Sequence, residues 1–301
     1  MNQPFSDYEI DCFRRAGRVI SDVREWAKTA ILPGVEMRHV LETVEDMIRE
    51  QGAEPGFPAQ SSRNSVAAHY CTSPQDTTVY EEGDCVKIDI GAHIDGYVVD
   101  TAATVDLSSD GRWAALIQAA DDALAAAINL VKDGTPTGTL GTVIETKIVS
   151  AGFQPIRNLT GHGLGRWKVH TLPAIPNSAN RGGPLLRTGM VFAIEPFSCT
   201  GEGYVFERGK SEVFMIAEPP KRPRAYDAAL LADILSWNGL PIARRYFTDH
   251  DPQVLERTIN RLARQKALVR YPPLVEQPGV MVAQTEHTIY LGPDGPEILT
   301  L

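Results

Sequence analysis

The chain has 301 residues, 43% of them hydrophobic and 22% charged, which is the balance of a globular protein with a sizeable core. It has no apolar run near the roughly 18 residues of a membrane span, and no basic segment followed by an apolar one at its start, so we expect neither membrane insertion nor secretion. The net charge of −9 argues against nucleic acid as the main partner, because phosphate binding needs a basic surface.

The N-terminal third predicts two helices followed by a loop region. Ser6 and Glu9 have the spacing of a capping box, and apolar residues recur at helical spacing until Pro33-Gly34. A second helix is expected over 37–50 and is closed by Gly52. Residues 55–80, rich in Pro, Ser and Asn, predict loops with short extended pieces.

The clearest β signal is a hairpin over 86–101. Two alternating apolar segments flank the turn dipeptide Asp95-Gly96. A two-residue turn there places Asp100 opposite Gly91. Because side chains alternate along a strand, Asp89 and Asp100 should then share one face.

The remainder predicts a mixed α/β chain with a helical insertion before its last strands. Helices are expected over 111–132 and 138–150, and strands near 166–170, 190–196 and 212–217. A Pro- and Arg-rich stretch at 218–224 is followed by amphipathic helical character to about 269, and 280–290 is extended. The basic segment 221–224 is expected to be a solvated surface rather than a contact for RNA or the ribosome.

Four acidic residues stand within apolar, strand-like segments, where an unpaired charge is costly to bury. They are Asp89, Asp100, Glu195 and Glu286. A bound divalent cation would explain all four together. The alternative, ordinary structural carboxylates held in salt bridges, stays open for any one pair considered alone.

Three histidines are candidates to join these acids. His162 is flanked by glycines that permit close backbone approach, His170 follows eight residues later, and His69 lies in an AAHY segment. One imidazole with four carboxylates is an oxygen-rich set that favours Mn, Fe or Co, with Zn possible, over a structural zinc. The remaining histidines are assigned structural roles: His39, His93, His250 and His287.

At this point the sequence resembles the type II methionine aminopeptidases, in the short archaeal-like form. The matching segments run in order over nearly the whole chain: NSVAAHY (64–70), KIDIGAHIDGYVVDTAAT (87–104), GHGLGRWKVH (161–170), IPN (175–177), FAIEPF (192–197), YPPL (271–274) and AQTEHTI (283–289). The resemblance implies an α/β (α+β) pita-bread fold, with two pseudo-symmetric halves of antiparallel sheet and flanking helices. It also implies a catalytic domain of 1–217 and 279–301 and a helical insertion over 218–278.

The resemblance further implies a site with two divalent metal ions (Co, Mn, Fe or Zn). Asp100 and Glu286 would bridge both ions, Asp89 would bind one, and His162 with Glu195 would bind the other. Glu195 would also act as the base for the attacking water.

Two further histidines and an apolar pocket follow from the same resemblance. His170 would contact the scissile amide, and His69 would assist the leaving group or the tetrahedral intermediate. The methionine pocket would be lined by Phe57, Val169, Tyr271 and Leu274. The chain departs from the family pattern at Gly56, where alanine is expected, and at Cys71, where threonine is usual, which bears on fine specificity.

The implied function is removal of the initiator methionine from nascent polypeptides by metal-activated water, with a preference for a small second residue. The expected partners are nascent N-termini, with the ribosome as a further candidate and no membrane. Four dispersed cysteines without a Cys-x-x-Cys pair favour reduced thiols and a cytoplasmic location. The alternatives are an X-Pro aminopeptidase or prolidase of the same fold, and a non-catalytic relative that binds RNA or the ribosome.

Overall fold

A computed structural model describes residues 5–180 and 182–301. The helices are α1 (Asp7–Ala30), α2 (Met37–Glu50), α3 (Ala114–Ile128), α4 (Thr137–Ser150), α5 (Ala228–Ser236) and α6 (Pro252–Arg264), with 3₁₀ turns at Pro223–Ala225 and Arg244–Phe247. The first nine strands are β1 (Glu54–Pro55), β2 (Gln60–Arg63), β3 (Val66–Ala68), β4 (Cys85–Ile94), β5 (Tyr97–Asp106), β6 (Gln154–Pro155), β7 (Thr160–Gly165), β8 (Lys168–Pro176) and β9 (Val191–Ile194). The others are β10 (Phe197–Cys199), β11 (Phe206–Glu207), β12 (Val213–Ile216), β13 (Ile242–Ala243), β14 (Leu268–Tyr271), β15 (Leu274–Val275), β16 (Val282–Gln284), β17 (Glu286–Gly292) and β18 (Gly295–Ile298).

The two N-terminal helices agree with the prediction. Ser6 accepts a hydrogen bond from the Glu9 backbone while the Glu9 side chain accepts one from the Ser6 backbone, so the capping box is present. Helix α2 ends where predicted, with Gly52 in the left-handed region.

The central hairpin has the predicted register. Asp95 and Gly96 both have positive φ, as a tight two-residue turn requires, and strands β4 and β5 pair from Ile94–Tyr97 outwards. Gly91 faces Asp100 and Asp89 faces Ala102. The prediction that the two aspartates lie on one face is confirmed.

A large antiparallel sheet forms the centre of the molecule. Its strand order is β1-β4-β5-β17-β9-β7-β8, with β2 beside β4 and β18 beside β17, and three small three-stranded sheets surround it. One hydrophobic core lies between α1, α2 and the β4–β5 hairpin. A second lies among α3, α4 and the strands β8, β9 and β17.

The two halves of the sheet repeat one arrangement of a helix pair followed by a hairpin. Helix α2 spans 37–50 and α4 spans 137–150, and each is preceded by a positive-φ glycine, at 34 and 134, and followed by another, at 52 and 152. The loop residues Glu36 and Pro136 each form a single β-bridge to a distant strand-like segment. The expected pseudo-symmetric halves are therefore present.

Two predicted elements differ from the structure. The strand expected over 166–170 is present as β8 but begins at Lys168, because Trp167 adopts the left-handed region in the turn between β7 and β8. The segment 225–269, expected to be helical throughout, instead alternates α5 and α6 with β13 and β14, which pair with β12. Amphipathic periodicity alone does not separate short strands from helix ends.

The segment from β12 to β14 has its own apolar cluster around Phe214, Leu230, Ile259 and Leu262. The division into 1–217 with 279–301 and an insertion over 218–278 stays a prediction. Among the described residues, no helix is both long and apolar enough to cross a membrane. All four cysteines are free and buried, as expected for reduced thiols.

Candidate metal centre and substrate cavity

The four acidic residues lie where the large sheet divides. Asp89 and Asp100 are on the β4–β5 hairpin, whereas Glu195 directly follows β9 and Glu286 begins β17. Glu195 and Glu286 were expected within strands, which is confirmed for Glu286, whereas Glu195 lies one residue beyond β9. Both lie where the chain passes between the large sheet and the small sheet of β10 and β16, and the Thr285 N–H donates to the Pro196 carbonyl there (3.2 Å).

The sheet register brings these acids onto one face together with His162. Asp89 pairs with Ala102, and Ala102 pairs with Glu286 on the next strand. Donor atoms of Asp100, His162 and Glu286 all lie within 4.8 Å of one another. The Nε2 atom of His162 is 3.6 Å from Asp100 Oδ2 and 3.7 Å from Glu195 Oε1.

The chemistry of this cluster fits divalent cations. Within residues 5–180 and 182–301, no lysine or arginine lies at ion-pair distance from any of the four carboxylates. One oxygen each of Asp89, Asp100 and Glu286 is buried without a hydrogen-bond partner among the described residues. Buried carboxylates need a compensating positive charge, so the cluster is incomplete as protein alone.

Burial sets the protonation of the acids. It raises the pKa of Asp89 to about 7, and it raises the pKa values of Asp100, Glu195 and Glu286 well above those of ordinary carboxyls, with mutual repulsion adding to the effect. Asp100 and Glu286 are 4% and 1% exposed, whereas Asp89 and Glu195 are open to the cavity described below. A cation that replaces these protons would relieve the repulsion.

His162 is prepared to act as a neutral ligand. Burial lowers its pKa to about 3, so the ring is uncharged at neutral pH. Its Nδ1 lies 3.3 Å from the Gly163 carbonyl, which leaves the Nε2 lone pair facing Asp100 and Glu195. This is the tautomer that metal-binding histidines use.

The two other candidate histidines lie beside this cluster. The His170 ring is 4.4 Å from that of His162, and the His69 ring meets Tyr271 edge-on at 5.6 Å. His69 has a φ of 66°, and burial lowers its pKa to about 4. Both rings line the cavity, with His170 at its exposed side.

A cavity of about 270 Å³ joins the acid cluster to an apolar wall. Its lining includes the five candidate metal ligands, both histidines and the four predicted pocket residues, Phe57, Val169, Tyr271 and Leu274. The cavity therefore combines the acid cluster with apolar and aromatic side chains, as substrate sites do.

Glycines on neighbouring strands make room for the apolar wall. A Cβ atom at Gly91 would lie 2.3 Å from the Phe57 ring, so glycine at 91 allows the ring to lie against the strand that carries Asp89. A Cβ atom at Gly56 would lie 2.8 Å from Val98 Cγ1. The departure from alanine at Gly56 is thus matched by a valine that fills the space.

Sequence reasoning missed two glutamines in the site. Gln284 is 1% exposed, and its Nε2 lies 3.3 Å from Glu286 Oε2 and 3.5 Å from Asp89 Oδ2, so it orients two carboxylates. Gln60 lines the cavity from β2. The alternation of AQTEH, which puts Gln284 and Glu286 on one face, was the available signal for the first. Gln60 stands in a loop-like segment that gave none.

Comparisons with known proteins identify a family of metallopeptidases. The model of metallopeptidase family M24 matches residues 11–229. A methionine aminopeptidase of Archaeoglobus fulgidus is 41% identical over 286 residues, which covers 95% of this chain and 96% of that protein. The crystal structure of the methionine aminopeptidase from Thermotoga maritima matches with a TM-score of 0.74 at 25% identity, over 100% of this chain and 99% of that one. A prolidase from Pyrococcus furiosus shares the fold, with a TM-score of 0.66 at 19% identity over 99% of this chain and 65% of that one.

The chain therefore belongs to metallopeptidase family M24 and, within it, to the archaeal-type methionine aminopeptidases. It is a metal-dependent hydrolase with the pita-bread fold, as the sequence predicted. Neither the prolidase nor the non-catalytic alternative is favoured, because its curated relatives at 35–41% identity are methionine aminopeptidases over nearly their full length.

Proposed function

We propose that this chain removes the initiator methionine from nascent polypeptides and that its reaction uses two divalent ions. The observation that carries the proposal is one cavity lined both by carboxylates with unpartnered oxygens and by apolar side chains. The unpaired acids provide for metal, and the wall suits an unbranched side chain.

The proposed ligands divide into two overlapping sets. Asp100 and Glu286 would be shared, with Asp89 completing one set and His162 with Glu195 the other. Donor atoms of Asp100, His162 and Glu286 lie within 4.8 Å of one another, which supports their binding one ion together. An oxygen-rich set with one imidazole suits Mn, Fe, Co or Zn. When bound, such ions polarise a carbonyl and lower the pKa of water.

The remaining chemistry falls to residues of the chain. Glu195 has a side chain 13% exposed, which opens towards the cavity. Burial raises the pKa of this carboxyl, so its ionised form would readily take a proton from water and return it to the leaving amine. His170 would donate a hydrogen bond to the scissile carbonyl, and His69 to the departing nitrogen. Burial lowers the pKa of both rings, so each acts as a neutral imidazole.

The apolar wall accounts for methionine selection. Phe57 and Tyr271 are aromatic, and a thioether sulfur makes favourable contacts with aromatic rings. Val169 and Leu274 complete the pocket, and neither side chain has a polar atom that could form a hydrogen bond with a hydrophilic substrate side chain. Crowding beyond the scissile bond, where both histidines lie, would favour a small second residue.

Nascent N-termini are the proposed substrates, and the cytoplasm the proposed location. The ribosome, where nascent N-termini emerge, is the second proposed partner. The solvated segment 221–224 is assigned no ligand.

The test uses enzyme stripped with a chelator and then reloaded with Mn or Co. Peptides Met-Ala-Ser, Met-Val-Ser, Leu-Ala-Ser and Ala-Pro-Ser are compared by chromatography, and bound metal is counted by mass spectrometry. We expect two ions per chain, fastest turnover of Met-Ala-Ser and none after chelation. Preferred cleavage of Ala-Pro-Ser, or full turnover without metal, would contradict the proposal.

A further inference from the structure

Gln60 is the first residue of a row of side chains that crosses the large sheet. On β2 it pairs with Asp89, which pairs with Ala102, which pairs with Glu286. Directly paired residues of antiparallel strands project to the same face. Gln60 therefore extends the carboxylate row by one strand, to the side of Asp89 away from Glu286.

The Gln60 side chain has an unmet hydrogen-bonding requirement. The residue is 7% exposed and lines the cavity, yet its Oε1 has no hydrogen-bond partner among the described residues. A buried polar atom without a partner destabilises the folded protein unless a ligand satisfies it. Gln284 shows the contrast, because its amide reaches both Asp89 and Glu286.

The backbone that carries Gln60 is fixed on both sides. The Ala59 N–H donates to Glu45 Oε1 at 2.9 Å, and Arg245 donates to the Ala59 carbonyl at 3.3 Å. The Ser61 N–H donates to the Tyr70 carbonyl at 3.0 Å. A side chain held on so rigid a strand is preorganised for a ligand, because little freedom remains to be lost on binding.

The substrate offers few N–H groups from which Gln60 Oε1 could accept a hydrogen bond. A methionine side chain has no N–H group, and the scissile peptide nitrogen belongs near His69 and His170. Of the N-terminal methionine residue itself, the α-amino group is the remaining donor, and Asp89 is the acid nearest to Gln60 along the row.

We propose that Gln60 is a specificity-determining residue that accepts a hydrogen bond from the free α-amino group of the bound substrate. This inference rests on the proposed function, because it assigns the recognition of the amine within that cavity. Gln60 would thereby favour a ligand with a free α-amino group over a ligand that has the methionine side chain but no α-amine.

The experiment compares L-methionine with 4-(methylthio)butanoic acid, which lacks the α-amine, by calorimetric titration of the Mn-loaded enzyme. In Gln60→Met, which keeps the length but removes the acceptor, we expect methionine affinity to fall about tenfold while the amine-free ligand is unaffected. Gln60→Asn, which withdraws the amide by one methylene, provides a second variant should the first fail to fold. Mn affinity should stay at the wild-type value in both.

Ser61→Ala is the matched control. Ser61 follows Gln60 on β2, so its side chain projects to the opposite face of the sheet, where its hydroxyl lies 3.0 Å from the Tyr80 hydroxyl. The variant should therefore lose stability without a change in ligand preference.

Equal weakening of both ligands would mean that Gln60 only packs, and a parallel fall in Mn affinity would mean that it orients the metal ligands; either result overturns the inference. An unchanged ratio in an enzyme whose wild type cleaves Met-Ala-Ser overturns it as well. Failure of the proposed function is distinct, because it is read from the wild type alone, as absent cleavage of that peptide.

Discussion

Two groups of buried acids in this molecule differ in how they are neutralised. Glu45 on α2 accepts two hydrogen bonds from Arg245, one from the Tyr246 hydroxyl and one from the Ala59 N–H, all between 2.6 and 2.9 Å. The four acids of the cavity have no lysine or arginine beside them in the described part of the chain, and three of them, Asp89, Asp100 and Glu286, retain an unpartnered oxygen. The Glu45 carboxylate is therefore neutralised by the protein itself, whereas the acids of the cavity require an added positive charge.

This difference shows that burial of an acid does not by itself identify a functional site. Both groups are deeply buried, and both perturb the pKa values of their neighbours, since burial and Glu45 together raise the pKa of Tyr246 well above its usual range. The distinguishing property is the set of partners. A saturated carboxylate fixes structure, whereas an unsaturated one next to a cavity binds a ligand.

The largest effect on stability should come from breaking the ion pair between Glu45 and Arg245. Glu45→Ala leaves Arg245 charged and buried, 2% exposed at its side chain, so we expect a loss of about 3–5 kcal/mol in the free energy of unfolding. Urea denaturation measures it. Glu54→Ala, an exposed acid near the same helix, serves as the control and should change stability little. An unchanged free energy of unfolding in Glu45→Ala would show that the Glu45–Arg245 ion pair does not stabilise the fold.

Removing one of the four acids of the cavity should instead reduce activity. Glu286→Ala removes a proposed shared ligand, and we expect turnover of Met-Ala-Ser in excess Mn to fall by more than about a hundredfold, since even residues behind metal ligands cost 10–100-fold. The metal-free variant should be no less stable than the metal-free wild type, because one repelling carboxyl is gone. Wild-type turnover would refute the shared role of Glu286.

A smaller effect, on metal affinity, is expected from replacing Gln284, whose amide provides two of the acids with a hydrogen-bond donor. Gln284→Leu removes the amide that orients Glu286 and Asp89, so Mn affinity should fall about tenfold while the fold is retained. Calorimetric titration with Mn measures the change. Gln277→Leu, at an exposed position, should leave Mn affinity unaltered. Equal effects of the two substitutions would argue against an orienting role.

The smallest effect concerns Cys71, which lies beside Arg245 in the saturated group. Burial raises the pKa of its thiol to about 12, and the nearby guanidinium lowers it only in part. Because the reactive thiolate forms only near that pH, a disulfide reagent at pH 8 should not label Cys71 in the folded protein. Labelling after denaturation in guanidinium is the positive control. Rapid labelling of Cys71 in the native protein would show that this region opens readily.

Local signals in the sequence were sufficient for several parts of the fold. The capping box at Ser6, the turn at Asp95-Gly96 and the alternation around Asp89 each specify a conformation through neighbouring residues, and the structure has all three. The acids themselves were visible because charged residues within apolar strands are unusual. The strand β7 was missed, because its glycines resemble a loop until the close approach of neighbouring backbone is known.

The sequence by itself determined the hairpin, the helix ends and, through resemblance to a family, the set of residues expected to share a site. Only the tertiary structure decided which acids have partners, that Gln60 extends the carboxylate row and that Arg245 meets Glu45 from 200 residues away. The physical reason is that hydrogen-bond saturation depends on contacts between distant segments. Periodicity and composition carry no information about those contacts.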